Sequence, residues 1–308
     1  MSITKRRSRP PLLSPWRVAV LGLSLAVGLS CGAAESSSSA AGERRAERIV
    51  PANSGAAELL LALVDPDRLA ALPATVEGYG AEGLGDLGLP TFANYTAENV
   101  LAFAPDLVVT HGWQSADATQ VLERGGIPVL TLPDIGDFAG LCGLVELLGE
   151  SVQARAAAAT LNTSLRARFD LLKHTDRSAV RLVSYTNFGS GGWTAGAETT
   201  ANLLCELAGV HNMATENGYK GHQNVDFETL LTWNPDVFLV GASGENPGHS
   251  PAAVMLRKEP SLQTIEALKH GRIIVLPAEL YTTNSQHVMD AAEYLARALD
   301  ELFPPASD

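Results

Sequence analysis

Two stretches of this chain repeat one another 130 residues apart, and that duplication constrains the fold more than any other feature. Glu98 opens Glu-Asn-Val-Leu-Ala-Phe-Ala-Pro-Asp-Leu-Val-Val, ending at Val109, and Glu228 opens Glu-Thr-Leu-Leu-Thr-Trp-Asn-Pro-Asp-Val-Phe-Leu, ending at Leu239. Glutamate, leucine, an aromatic and Pro-Asp fall in the same register, each followed by an apolar run. A repeat this distant implies two similar α/β lobes, and two facing lobes enclose a cleft.

The local physics of each copy is readable. Thr96 and Asp226 stand two residues before the glutamates and suit helix N-caps. The glutamates then fall in the first helical turn, where the helix dipole favours negative charge. Proline ends each helix by pushing the preceding residue out of the α region. Leu107–Thr110 and Val237–Val240 lack polar alternation, as buried parallel strands do. Ligands of open α/β sheets gather beyond the carboxyl ends of the strands, which here are His111-Gly112-Trp113 and the Gly241–Gly244 loop.

The N-terminus reads as an export signal. Lys5, Arg6, Arg7, Arg9 and Arg17 precede an apolar stretch, Val18 to Leu29, that is too short to span a bilayer. Residues 1–30 are expected to be the signal peptide, of lipoprotein type, with Cys31 as the lipidated residue. Gly28 stands where such processing sites usually carry leucine. Residues 31–47 read as a flexible tether. Removing residues 1–30 leaves 17 basic against 34 acidic residues, a net charge of −17 that excludes nucleic acid as a partner. The other two cysteines, Cys142 and Cys205, lie in apolar surroundings that suit buried free thiols; a disulfide between them stays open.

The remaining chain divides into an N-terminal α/β lobe over 48–137, a connecting helix over 138–174 and a C-terminal α/β lobe over 175–308. The first strand is expected at Arg48–Val50, leading through Pro51–Gly55 into the helix Ala56–Leu63, with further strands at Arg68–Leu72 and Ile127–Leu132. No proline interrupts Phe138–Lys173, and Leu161, Leu165, Phe169 and Leu172 recur at helical spacing. The second lobe opens at Val180–Tyr185 and closes with a helix over Gln286–Leu302. The fold class expected is α/β: two Rossmann-like lobes with parallel sheets, joined by one long α-helix, with a ligand cleft between them. One rigid helix would restrict the lobes to small relative motions.

These landmarks resemble the helical-backbone class of ABC-transporter substrate-binding proteins, which capture cobalamin, iron–siderophores or haem. The resemblance rests on Arg48–Val50 with the Ser54–Leu63 turn and helix, both Pro-Asp strands, Gly125–Val129, Trp193–Gly196 and Leu268–Ile273, and it spans nearly the whole chain after the signal. It implies a monomeric protein without catalytic activity or resident cofactor. Such a protein carries a small-molecule metal chelate to a membrane permease and touches the membrane only through its lipid anchor. It also implies that an acid on each lobe pairs with permease arginines. Glu228 matches that position in the second lobe; Glu98, by internal symmetry, and Asp117 are the first-lobe candidates. A first-turn glutamate equally serves its own helix dipole.

Residues expected at strand ends, and so in the cleft, are Ser54, Tyr79, Trp113, Tyr185, Trp193, Tyr219, His222 and Tyr281. In a chain only 6% aromatic, so many rings near one cleft suit a broad planar ligand. Tyr185, inside an apolar strand, fits a core position as well. The resemblance adds that cobalamin-binding members carry aromatics at the Trp113 and Tyr281 positions. Anionic catecholate siderophores would call for clustered arginine or lysine, and the predicted loops offer mainly Lys220. Haem would need an axial ligand, for which His111, Tyr219, His222 and Tyr281 are available. The ranking is corrinoid, then iron–siderophore, then haem. A metal-chelatase enzyme shares the twin-lobe plan, but no phosphate-loop, Gly-x-Ser-x-Gly or zinc-type spacing is present.

Overall fold

A computed structural model describes residues 45–304 except 82, 188–191, 244–248 and 282. The signal segment, Cys31 and most of the tether lie outside these residues. Both copies of the repeat have the expected local structure. Thr96 Oγ1 accepts the Asn99 N–H at 3.2 Å and Asp226 accepts the Thr229 N–H at 2.8 Å, capping the helices Ala97–Leu101 and Phe227–Trp233. The residue before each proline, Ala104 and Asn234, leaves the helix in the left-handed region with φ 46°. The strands Leu107–His111 and Val237–Gly241 follow, buried along almost their whole length.

Each Pro-Asp aspartate anchors the first strand of its own lobe. Asp106 accepts the backbone N–H groups of Glu47 and Arg48, both at 2.8 Å, while the Arg48 guanidinium reaches the carbonyls of Phe103 and Ala104. Asp236 accepts the Arg181 N–H at 2.9 Å and its guanidinium at 3.0 Å, and that guanidinium also reaches the Asn234 carbonyl. The repeated unit is therefore larger than its sequence signature. It includes an arginine-led strand paired in parallel with the Pro-Asp strand.

In the first lobe, Leu107–His111 lies centrally between Ile49–Pro51 and Val129–Leu132, all parallel. In the second, the parallel order is Ile273–Leu276, Val237–Gly241, Arg181–Ser184, His211–Asn212. Two smaller sheets were not foreseen. Thr186–Asn187, Gly192–Ala195 and His222–Val225 form an antiparallel sheet in the second lobe. The strand expected at Arg68–Leu72 is instead a 3-10 turn at Pro66–Arg68 and a short strand, Leu72–Pro73, paired with Thr91–Phe92.

The connection is helical but is two helices rather than the single one expected: Phe138–Ser151 and Arg155–Leu172. Gln153 turns into the left-handed region at φ 56°, and the Ala154 N–H reaches back to the Gly149 carbonyl at 2.6 Å. This is a Schellman-type stop. The two helices then pack together closely enough that a Cβ on Gly149 would lie 2.4 Å from that of Ala158. One continuous apolar core takes in Ile49 and Leu59 of the first lobe, Leu144 and Leu165 of the helix pair, and Leu182 and Leu295 of the second lobe. Relative motion of the lobes must deform that shared core, so it is confined to small displacements.

Candidate functional site

The carboxyl ends of the first-lobe strands open onto two adjoining cavities, of about 360 and 400 Å3. Trp113 and Asn284 line both. The first cavity is walled mainly by first-lobe polar and aromatic groups, among them Asn53, Ser54, Asn94 and Tyr95. The second spans the lobes, from Pro133–Ile135 on one side to Glu198–Thr200 and Gly221–His222 on the other.

Trp113 dominates the opening. It sits in the turn directly after the central strand, is 60% exposed, and lies against His111 with ring centroids 5.7 Å apart and planes 25° from parallel. An exposed indole at the mouth of a site walled by mixed polar and apolar groups is a stacking surface for a flat ligand.

Behind it lies a buried polar bridge between the lobes. Asn53 caps the helix Ser54–Leu63, its Oδ1 accepting the Ala56 N–H at 3.0 Å. That fixes the amide, so Asn53 Nδ2 donates to His111 Nδ1 at 2.9 Å. The Asn284 carboxamide, from the second lobe, has its Nδ2 3.1 Å from His111 Nε2. A neutral imidazole has one donor and one acceptor. With Nδ1 accepting, Nε2 carries the proton, and Asn284 must turn its oxygen toward the ring. His111 is 3% exposed, and burial pushes its pKa down to about 4, the Asp134 charge opposing. Both ring nitrogens are thus engaged, which removes His111 as an axial ligand.

Two further contacts tie the lobes around this bridge. The buried Glu58 carboxylate accepts the Ala81 N–H at 2.7 Å and hydroxyl hydrogen bonds from Ser285 and Thr283 of the second lobe. Gly136, just beyond the last first-lobe strand, lies so close to Glu198 that a Cβ there would be 2.6 Å from the Glu198 Cα, and the Gly136 carbonyl accepts from Asn202 at 3.1 Å.

Of the residues expected in the cleft, Ser54, Trp113 and His222 line the two cavities. Tyr185 does not: it is fully buried, edge-on to Phe238 in the second-lobe core, because both faces of its strand are covered. Tyr219 packs edge-on against Trp233, with centroids 5.1 Å apart. Tyr281 lies against Gly241 with its hydroxyl 2.8 Å from Thr186 Oγ1. Trp193 is half-buried on the antiparallel sheet, paired with Asn224 and Thr186, and does not line either cavity. The Tyr79 side chain and Gly244 lie outside the described residues. Sequence reasoning passed over Asn53, His111 as a bridge, and Asn284. Asn53 had a detectable signal, a capping position directly after the first strand; Asn284 had none.

The three acids considered for docking, Glu98, Asp117 and Glu228, are exposed in first helical turns. Cys142 and Cys205 are buried free thiols, and burial pushes the Cys205 thiol up to about 12. Among the described residues no group of three or more His, Cys, Asp or Glu side chains is placed to hold a metal ion, and no helix is long and apolar enough to cross a membrane.

The model of one known family, described as periplasmic binding protein, matches residues 49–280. The chain is 25% identical over 226 residues to the uncharacterized ABC transporter substrate-binding lipoprotein YvrC of Bacillus subtilis strain 168, covering 71% of this chain and 67% of that protein. Among solved structures it is similar to the periplasmic heme binding protein HutB of Vibrio cholerae, at TM-score 0.71 and 23% identity over 82% of this chain and 98% of that one. It is also similar to an ABC-type Fe3+-hydroxamate transport system protein of Saccharomonospora viridis, at TM-score 0.67 and 22% identity over 83% and 93%. At these identities the structural likeness speaks to the fold, two α/β lobes about a cleft. With the family model spanning both lobes, the chain belongs to the periplasmic binding protein family.

Proposed function

We propose that this protein is the substrate-binding component of an ABC importer, capturing a metal chelate in the cleft and releasing it to a membrane permease without chemical change. The observation that carries the reading is the exposed Trp113 ring, set between two cavities whose walls come from both lobes. A flat ring face beside amide and hydroxyl groups suits a corrinoid, whose macrocycle stacks while its peripheral amides hydrogen-bond. An iron–hydroxamate is the second reading, by the transport system named above. Haem is the third, supported by the exposed His222 imidazole in the wall of the second cavity and by the ligand named for HutB.

The surroundings of that role belong to the same proposal. Residues 1–30 direct export, Cys31 carries the lipid, and the mature protein works as a monomer. Glu228 and Glu98, with Asp117 as the first-lobe alternative, meet basic residues of the permease. The test is to purify the protein from its native host and record its visible spectrum. Corrin, haem and ferric–siderophore absorption are distinct. Calorimetry showing no binding of any of the three would overturn the reading.

A further inference from the structure

The charge of the cleft carries an inference about which chelates it accepts, one that rests on the cleft being a chelate site. No lysine or arginine lines either cavity among the described residues. The undescribed internal segments add none, since 188–191 read Phe-Gly-Ser-Gly and 244–248 read Gly-Glu-Asn-Pro-Gly. Lys220, directly before Gly221 of the lining, is already paired with Glu198 at 2.9 Å. The formal charges in the lining are instead the carboxylates of Asp134 and Glu198, on opposite lobes across the second cavity. Their positions are set by the lobe contact: Gly136, two residues after Asp134, packs on the Glu198 backbone.

The features that would favour an anion are partly engaged by the protein itself. Two helix N-termini face the cavities, Ser54–Leu63 and Thr200–Ala208. Asn53 caps the first and Thr199 the second, and Glu198 stands directly before the second. His111 spends both ring nitrogens on the bridge and is neutral. An anionic ligand entering this cleft would leave water for a site where Glu198 already holds Lys220 and the remaining formal charge is the Asp134 carboxylate, an unfavourable exchange. A neutral or cationic ligand meets no such penalty.

We propose that the cleft selects metal chelates of zero or positive net charge, and that Asp134 and Glu198 are the residues that set this preference. The exclusion applies to chelates carrying free carboxylates or several catecholate charges.

The test uses two matched pairs of probes on the mature protein, followed by tryptophan fluorescence or calorimetry. Diaquocobinamide (cationic) is compared with haem (anionic) among flat macrocycles, and ferrioxamine B (cationic) with ferric enterobactin (anionic) among siderophores; cyanocobalamin serves as the neutral reference. The cationic member of at least one pair is expected to bind about tenfold or more tighter than its anionic counterpart, and the cation's affinity to weaken as salt rises to about 0.5 M, while any cyanocobalamin binding stays constant. Asp134→Asn and Glu198→Gln are each expected to weaken the cation about threefold relative to the neutral reference; both are near-isosteric and exposed, so folding survives. Equal or tighter binding of either anionic probe overturns the charge proposal and leaves the chelate reading standing. Binding of none of the five overturns both.

Discussion

Asp236 holds Arg181 twice over, accepting its backbone N–H at 2.9 Å and its guanidinium through both carboxylate oxygens at 3.0 Å. The same carboxylate thereby fixes the start of the second lobe's first strand against the strand that carries the Gly241 loop. Asp106 does the corresponding task for Arg48 through backbone groups alone. The duplicated Pro-Asp is thus a strand-registering device, and it aims the strand ends from which the cleft is built.

Removing that grip should be costly. Asp236→Ala is expected to lower stability by about 1–3 kcal/mol, since it strips partners from a half-buried guanidinium and a backbone N–H. Burial raises the Asp236 pKa, but the hydrogen bonds and charge of Arg181 outweigh it and hold the carboxyl below its usual value. A depressed carboxylate stabilises the fold above its unfolded pKa of about 4, and that stability is lost as pH falls through the folded value. Urea unfolding at neutral pH and near pH 3 checks both points: the gap between wild type and Asp236→Ala should narrow in acid.

His111 should make its own acid-sensitive contribution. Its folded pKa is about 4, against an unfolded value near 6.5. Between those values the unfolded chain binds the proton and the folded one does not, so stability rises with pH across that window. The neutral form contributes in full above about pH 6.5, and roughly 2–3 kcal/mol is lost by pH 4. Melting curves of wild type and His111→Gln over pH 4–7 test this. The variant should lack that part of the slope, and an unchanged slope would show that His111 titrates normally.

What the sequence made legible was local, and what it hid was long-range. Thr96 and Asp226 are caps because a side chain reaches an N–H three residues on, which spacing alone reveals. The Arg181–Asp236 grip closes over 55 residues and leaves no periodic trace. The connecting segment read as one helix because its stop is made by Gln153, with neither proline nor glycine at the break, while Gly149 lies within the helix as a packing notch. Tyr185 stood open between core and cleft because alternation cannot tell a strand end facing a cleft from one covered on both faces. The cleft's floor is built from uncharged amides, Asn53 and Asn284, whose importance comes only from meeting His111.

The lobe contacts at Gly55 and Gly136 should respond differently to one added methyl. At Gly55 the Cβ would meet the Asn284 carboxamide at 1.6 Å, a side chain that can swing away at the expense of the His111 bridge. At Gly136 it would meet Glu198 backbone, which cannot. Gly136→Ala is expected to cost about 1–3 kcal/mol by forcing the lobes apart, and Gly55→Ala less. Thermal unfolding ranks the two, and a smaller loss at Gly136 would contradict the packing.

Trp113→Ala should separate binding from folding. With 60% of its surface exposed, the indole contributes little to the core, and its loss should change stability by no more than about 0.5 kcal/mol. As the main stacking face of the cleft, it should cost about tenfold or more in ligand affinity. Calorimetry and a melting curve on the same preparation decide it. Unaltered affinity would move the ligand away from the ring.

Charge reversal at the repeated glutamates tests the remaining role of the duplication. Glu98 and Glu228 are exposed and occupy equivalent first-turn positions, one on each lobe. An exposed acid in a first turn supplies only a few tenths to about 1 kcal/mol to its helix, so Glu228→Lys and Glu98→Lys should both fold. If they meet basic residues of a permease, reversal replaces attraction with repulsion, and rim charges act chiefly on encounter rate. Uptake of the chelate by cells carrying either variant should then fall severalfold, the double variant lower still, while affinity for the chelate in solution stays at the wild-type value. Loss of affinity in solution would place the glutamate in the cleft, and unchanged uptake in the double variant would leave the two residues as helix-dipole partners alone.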